Sequence, residues 1–369
     1  MTSAERHAER RRRAAGALAA IPAEALLVTS LPNIRYLAGF TGSAAMLVLE
    51  PERATLITDS RYVVQAEAEA VGLEKVRVEE SYEKTLAERV RSLGIQRLAY
   101  EAAHLRMSQY EFLASTVGEG LALVASRDVV ENLRQVKDRD ELGLLRRAAQ
   151  GLEPVLAAWR KLLAPGVSER DLAAELDYRL RRLGFERVAF ETIVASGERS
   201  ALPHGRPSAR ELKEGDLVVV DFGGICQGYA SDLTRTFSVG EPKEAARRIY
   251  EVTALAQQAA IDRVRPGATA GEVDRAARDV IGAAGFGEFF GHGTGHGLGL
   301  EVHEQPWIRP GGQQVLEAGM VFTVEPGIYL PGSGGVRLED DVLVTESGVE
   351  ILSRQASGAG GLRDFGWIC

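Results

Sequence analysis

The sequence predicts an α+β catalytic domain preceded by a smaller α/β domain. Three observations carry this reading. A chain of 369 residues is long enough for more than one hydrophobic core. Up to about residue 125, short apolar runs alternate with amphipathic stretches, the rhythm of a small α/β domain. Beyond residue 138 the rhythm changes to hairpin-forming strands interleaved with long helices, which excludes a doubly wound parallel sheet.

In chain order, residues 4–20 read as a helix and Ala25–Thr29 as a short buried strand. The basic run Arg10–Arg13 with the alanines after it also has the outline of an export signal. However, that run is Ala-dominated and broken by Pro22 and Glu24, so an amphipathic helix leading into a strand is preferred. Met46–Leu49 and Ala54–Thr58 form paired strands about a turn at Pro51-Glu52, and Asp59-Ser60 offers a cap for a helix from Arg61. Helices follow at 83–93 and 107–118, with strands at Leu98–Tyr100 and Ala122–Val124. This gives an N-terminal domain at 1–125, a linker at 126–137, a catalytic domain at 138–353 and a tail at 354–369.

In the second part, helices are expected at 138–150, 151–163, 168–183, 243–264 and 270–284. Strands are expected at Leu217–Phe222, Ser231–Phe237, Val321–Val324, Gly327–Leu330, Val336–Leu338 and Asp341–Val344. Two Pro-Gly breaks, Pro165-Gly166 and Pro266-Gly267, are each followed by a capping residue, Ser168 and Thr269. Their common order hints at an internal repeat.

Composition narrows the function. A net charge of -8 leaves no surplus of Lys and Arg for phosphates, which excludes a general nucleic-acid binder. No run approaches the roughly 20 apolar residues that cross a bilayer. Cys226 and Cys369 form no CxxC pair, so neither a disulfide framework nor a thiolate zinc site is expected, and a reducing cytoplasm fits.

The chemistry concentrates in Gly291–Glu304. Three of the six histidines, His292, His296 and His303, stand among five glycines there. Histidine is the commonest side-chain metal ligand and the usual proton shuttle near neutral pH. Acidic residues stand at matching strand ends on both sides. Asp221 closes Leu217-Val218-Val219-Val220, and Asp232 precedes Leu233-Thr234-Arg235-Thr236-Phe237, with Gly223, Gly224 and Gly228 permitting a hairpin between them. Glu325 follows Val321-Phe322-Thr323-Val324, and Glu339 stands between Val336-Arg337-Leu338 and Asp340-Asp341-Val342.

A carboxylate at the end of a buried apolar strand is costly unless paired, hydrogen-bonded or bound to metal. Four of them around one empty point would repel strongly, and two divalent cations would neutralise them. Hard oxygen donors with one imidazole favour Mn, Co, Fe or Zn in a dinuclear site. Such a pair activates water and stabilises a tetrahedral oxyanion, which is hydrolytic chemistry.

These motifs resemble a family. Ala201–Gly205, Val219–Gly223, Ser231–Thr236, the histidine loop through Glu304, Val324–Tyr329 and Val336–Asp340 follow the order seen in dinuclear metallopeptidases of the pita-bread fold, specifically Xaa-Pro aminopeptidases and prolidases. The likeness spans roughly residues 130–350. Leu31–Ser43 and Thr58–Tyr62 resemble the creatinase-type N-terminal domain of the same proteins. The resemblance implies Asp221, Asp232, His296, Glu325 and Glu339 as metal ligands, with Glu339 bridging and Glu325 shuttling the proton of the attacking water. It implies His303 and His204 as catalytic and substrate-binding groups, His292 as a lining residue of the pocket beyond the scissile bond, and Arg337 as support for the carboxylates. It also implies a homodimer and a peptide substrate with proline second.

Proline explains the need for a dedicated enzyme. Its tertiary amide lacks an N–H and fixes φ near -65°, so peptidases that grip an extended backbone fit it poorly. Xaa-Pro aminopeptidase is preferred, with a prolidase restricted to dipeptides as the alternative. A prolidase must read a free carboxylate, for which Arg199, Arg206, Arg309 and Arg337 are candidates. Methionine aminopeptidases generally lack the N-terminal domain, a metal-free creatinase-like hydrolase would not need the full ligand set, and an inactive binding module would have lost part of it. After Leu352 the chain departs from the family's usual ending, and nothing in its last residues suggests a function.

Overall fold

Short apolar runs in the first third of the chain pair into one six-stranded sheet. The computed structural model describes residues 2–117, 120–354 and 367–368. It divides into two units, Met1–Arg134 and Gln135–Cys369.

The first unit runs α1 (Ser3–Leu18), β1 (Ala25–Val28), α2 (Leu31–Ala38), β2 (Met46–Leu49), β3 (Ala54–Thr58), α3 (Val63–Glu69), β4 (Glu74–Arg77), α4 (Tyr82–Ser92), β5 (Arg97–Glu101), α5 (Met107–Val117), β6 (Ala122–Ser126) and α6 (Glu131–Arg134). The sheet order is β4-β3-β2-β1-β5-β6, with parallel and antiparallel pairs mixed. Thr2 and Glu5 close a capping box on α1, whose buried side is Arg10, Ala14 and Leu18. Position 118, expected at the end of α5, lies outside the described residues.

Three elements of this unit escaped the sequence reading, α2, β4 and α6. Helix α2 has a proline in its first turn and ends on left-handed Gly39, φ 76°, both helix-boundary signals hidden inside the motif Leu31–Ser43. Strand β4 is an edge strand, Glu-Lys-Val-Arg, without a buried face to give alternation. The expected linker, 126–137, holds the end of β6 and the helical turn α6.

The second unit runs α7 (Arg139–Trp159), α8 (Glu169–Arg182), β7 (Arg187–Val188), β8 (Ile193–Ser196), β9 (Leu217–Phe222), β10 (Gly224–Cys226), β11 (Tyr229–Ala230), β12 (Leu233–Val239), α9 (Glu244–Arg263), α10 (Ala270–Ala283), β13 (Gly295–Gly297), β14 (Glu304–Ile308), β15 (Val321–Val324), β16 (Gly327–Leu330), β17 (Gly334–Arg337), β18 (Asp340–Thr345), β19 (Gly348–Ile351) and β20 (Trp367–Ile368). Its main sheets are β20-β12-β9-β8 and β14-β13-β15-β18-β19. Helices α7 and α8 share a core with β9 and β12, while α9 and α10 share another with β15 and β18.

One expectation is corrected here. The helices predicted at 138–150 and 151–163 are a single helix, α7, which continues through Pro154 to Trp159. Proline costs a helix one hydrogen bond and a steric clash. Against that cost, Leu145, Ala148, Leu152, Val155 and Trp159 all bury along the same helix. Among the described residues no helix is long and apolar enough to cross a membrane.

The hinted repeat is present in the hydrogen bonding. Ser168 caps α8 and Thr269 caps α10. The Gly166 N–H donates to the Leu212 carbonyl at 2.9 Å, and the Gly267 N–H to the Leu316 carbonyl at 2.9 Å. The return bonds match as well, Leu212 to Val167 and Leu316 to Ala268. Each return segment then enters a buried strand, β9 or β15. Asp221 stands inside β9 and Glu325 one residue past β15, each four residues after the first residue of its strand. Two segments with matching caps and hydrogen bonds thus each deliver a carboxylate at the end of a buried strand.

Candidate metal centre

Asp221 lies in β9 opposite Thr234 of β12, and Asp232 stands one residue before β12. The hairpin expected between them contains β10 and β11, so the strands separate at Phe222↔Leu233 and leave both aspartates at one end. Glu325 occupies the turn between β15 and β16, where its N–H donates to the Thr294 carbonyl at 2.8 Å. Glu339 sits between β17 and β18, and its N–H donates to the Thr234 carbonyl at 3.1 Å. That bond joins the two halves at the site.

His296 is the middle residue of β13, which lies between β14 and β15. A Cβ on Gly295 would land on the Thr323 carbonyl, and one on Gly297 on the Gln305 carbonyl. Only glycine fits on either side of this histidine. The His296 Nδ1 lies 3.2 Å from the Gly297 carbonyl. With its proton there, Nε2 keeps its lone pair toward the carboxylates, 3.4 Å from Glu325 Oε1 and 3.8 Å from Asp232 Oδ2.

The cluster is crowded and largely buried. Asp232, His296 and Glu339 are buried and place ligand atoms within 4.8 Å of one another. Burial, with repulsion from Glu339 and Asp221, pushes the Asp232 carboxyl far above its usual range. Burial and repulsion from Glu325 and Asp221 do the same to Glu339. Burial raises Glu325 to about 8 despite the Arg337 cation. Burial lowers His296 to about 4, with His303 adding to the effect. These are the shifts of groups built to face positive charge. In addition, Asp221 Oδ1 and Asp232 Oδ1 are buried without a hydrogen-bond partner among the described residues. Buried acceptors rarely stay unsatisfied, and this donor set of carboxylate oxygens and one imidazole fits a divalent cation.

All nine residues singled out in the sequence line one cavity of about 480 Å³: Asp221, Asp232, His296, Glu325, Glu339, His204, His292, His303 and Arg337. The rings of His303 and His296 lie 4.3 Å apart. His292 Nδ1 lies 2.7 Å from the Gly293 carbonyl, and Nε2 lies 2.9 Å from the Tyr329 hydroxyl. Of the four arginines considered as carboxylate readers, Arg199 is absent from the lining and Arg337 is committed to Asp221. Arg206 is paired with Glu191 at 3.1 Å on the rim. Arg309 lines the cavity, and no ion pair holds it among the described residues.

Sequence reasoning missed several supports. Thr234 Oγ1 donates to Glu339 Oε2 at 2.7 Å, and Tyr329 accepts from Arg337 at 2.9 Å. Both lay inside the quoted motifs without being singled out. Asp340 is fully buried behind the site. Burial works against its charge, yet Arg235 and Arg354 hold it below the usual range. The Asp274 carboxylate of α10 accepts from the Thr294 N–H and hydroxyl at 3.1 and 2.9 Å, and so fixes the loop before β13. Nothing local in the sequence marks that partnership.

This fold is that of a metallopeptidase. The chain belongs to metallopeptidase family M24, whose model matches residues 143–346, and it carries a creatinase/prolidase N-terminal domain over residues 10–136. It is 38% identical over 337 residues to an Xaa-Pro dipeptidase of Pyrococcus horikoshii, covering 90% of this chain and 93% of that one. Its structure matches an Xaa-Pro dipeptidase of Bacillus anthracis with a TM-score of 0.92 and 40% identity, covering 95% and 99% of the two chains. It also matches an X-Pro aminopeptidase of Thermotoga maritima with a TM-score of 0.85 and 37% identity, covering 93% and 99%. The pita-bread architecture and the Xaa-Pro peptidase and prolidase family expected from the motifs are therefore those of this chain.

Proposed function

We propose that this protein is a prolidase, hydrolysing Xaa-Pro dipeptides with two divalent cations held by Asp221, Asp232, His296, Glu325 and Glu339. The observation that carries the metal assignment is the meeting of these five side chains on one cavity, with orphaned oxygens on both aspartates. Manganese suits the oxygen-rich donors, with Co, Zn or Fe as alternatives. Bound cations would lower the pKa of water and polarise the scissile carbonyl.

The chain's own groups do the rest. Glu325 accepts the proton of the attacking water and returns it to the proline nitrogen as the bond breaks. His303 donates to the carbonyl oxygen as it gains charge, and His204 holds the substrate near the ring. His292, kept neutral to about pH 4 chiefly by burial, presents an uncharged wall for proline beside Tyr329. Arg337 balances the carboxylates through its contact with Asp221.

The sequence alone favoured the aminopeptidase, and the comparisons weigh toward the dipeptidase. Both the P. horikoshii relative and the B. anthracis structure carry that name. Arg309 supports the same reading, as a cation on the cavity wall suited to a free carboxylate. The likeness to the T. maritima enzyme keeps Xaa-Pro aminopeptidase as the second reading. The deciding experiment compares an Xaa-Pro dipeptide with an Xaa-Pro-Yaa tripeptide on metal-stripped protein refilled with manganese or cobalt. Dipeptide turnover with little tripeptide cleavage supports the prolidase, and the reverse supports the aminopeptidase. Silence on both, with metal bound, refutes proline specificity. The homodimer implied by the N-terminal domain is tested by light scattering, where a monomeric mass contradicts it.

A further inference from the structure

We propose that Glu169, far from the carboxylate cluster in sequence and outside the cavity lining, is a positioning residue for His204. The proposal rests on the reading of His204 as a substrate contact. After β8 the chain leaves the sheet at Ser196, makes a helical turn at Gly197–Ala201 and returns by Ser208. Pro203 and His204 reach the cavity from the middle of this excursion. His204 is exposed, and no hydrogen bond holds its ring among the described residues. Its place is therefore set by the loop that carries it.

Both ends of that loop are fastened to one side chain. Glu169, the first residue of α8, is fully buried at 0% exposure. Its Oε1 accepts from the Ser196 N–H and hydroxyl, both at 2.8 Å. Its Oε2 accepts from the Ser208 N–H at 2.9 Å and the Ser208 hydroxyl at 2.6 Å. Arg199 Nε donates to Oε2 at 3.1 Å, while its Nη2 reaches across the loop to the Arg206 carbonyl at 2.5 Å. The Arg170 N–H adds a bond to the Ser208 carbonyl at 3.1 Å. A helix that needed only packing at this point would take an apolar residue, since burying a carboxylate is costly unless every lone pair is used. Here the use is to close a loop whose apex faces the substrate cavity.

The test uses the full-length, metal-loaded protein and four variants: Glu169→Gln, Ser208→Ala, His204→Ala and the double Glu169→Gln/His204→Ala. Metal content, thermal melting and turnover of alanylproline are measured for each. A displacement of about 1 Å in a positioned group costs up to roughly 100-fold. Glu169→Gln is therefore expected to lower kcat/KM by about 10- to 100-fold with metal content unchanged, and Ser208→Ala by less. The double variant is expected to be no worse than His204→Ala, because both act through the same imidazole. Wild-type kcat/KM in Glu169→Gln, or losses that multiply in the double variant, would overturn the proposal. If Glu169→Gln does not fold, wild-type activity in Ser208→Ala overturns it instead. An unaffected His204→Ala removes the role of His204 itself, a failure distinct from a loss in His204→Ala that Glu169→Gln does not share.

Discussion

The Arg337 guanidinium donates to Asp221 Oδ2 at 2.5 Å, and both groups are buried. The remaining nitrogens of Arg337 hold Thr234 Oγ1 at 3.2 Å, the Tyr329 hydroxyl at 2.9 Å and the Pro203 carbonyl at 3.0 Å. One cation thus ties a proposed metal ligand to the two strands and the loop around it. Arg337→Met leaves Asp221 buried without its counter-ion, which costs about 3–5 kcal/mol in the metal-free protein. Arg337→Lys cannot serve four partners in one plane and is expected to lose most activity as well. Thermal melting and turnover at saturating manganese check both. Full turnover in Arg337→Lys would show that the planar contacts are dispensable.

Glu339 is the most enclosed of the proposed ligands, 1% exposed and joined to Thr234 through both backbone and side chain. Glu339→Ala is expected to abolish hydrolysis and most metal binding, read as metal retained after dialysis. Retained turnover would contradict the ligand assignment.

The stability of the metal-free protein should depend on pH with a definite sign. Burial raises Glu325 to about 8 from its ordinary 4.5. A raised pKa gives stability that is fully present below about 4.5 and is lost as pH rises through 8. His292 and His296, lowered to about 4 by burial, act oppositely and lose their contribution as pH falls from 6.5 through 4. Between pH 6.5 and 8 the raised carboxyls dominate, Glu325 together with its buried neighbours Asp232 and Glu339, so the metal-free melting temperature is expected to fall across that window. Glu325→Gln should lessen the fall, the remainder coming from Asp232 and Glu339. Added manganese should reverse it, because cation binding competes with protons. A flat wild-type profile would remove Glu325 as the titrating group.

Arg309 offers a charge-assisted hydrogen bond of about 1.5–3 kcal/mol to a dipeptide's carboxylate. Arg309→Ala is expected to raise KM for alanylproline about tenfold or more with kcat little changed. A tripeptide substrate should be nearly indifferent. Equal losses on both substrates would assign Arg309 to general packing of the wall.

The site was more legible in the sequence than the scaffold that aims it. Asp221 and Glu325 announce themselves because a carboxylate after a largely apolar strand has no cheap explanation. The histidine loop is equally conspicuous. By contrast, β13 and β14 were invisible, since β13 is Gly-His-Gly and its strand character comes from flanking β15, not from propensity. The continuity of α7 through Pro154 is likewise a tertiary outcome, decided by the buried side of that helix. Asp274, Asp340 and Glu169 stayed hidden for a different reason. Their partners are distant in sequence, and an acidic residue in a helix's opening turns or at a strand end reads as ordinary capping until its neighbours are known.

The bond from the Glu339 N–H to the Thr234 carbonyl joins segments synthesised far apart in time. Asp221 and Asp232 emerge from the ribosome more than a hundred residues before Glu339. A nascent chain that stops short of β17 holds two aspartates, the histidine loop and Glu325 without the carboxylate that closes the cluster. With Glu339 as a ligand, as proposed above, hydrolytic competence would arrive only with the last hairpins, and a truncated product would be an inert chain instead of a loose peptidase.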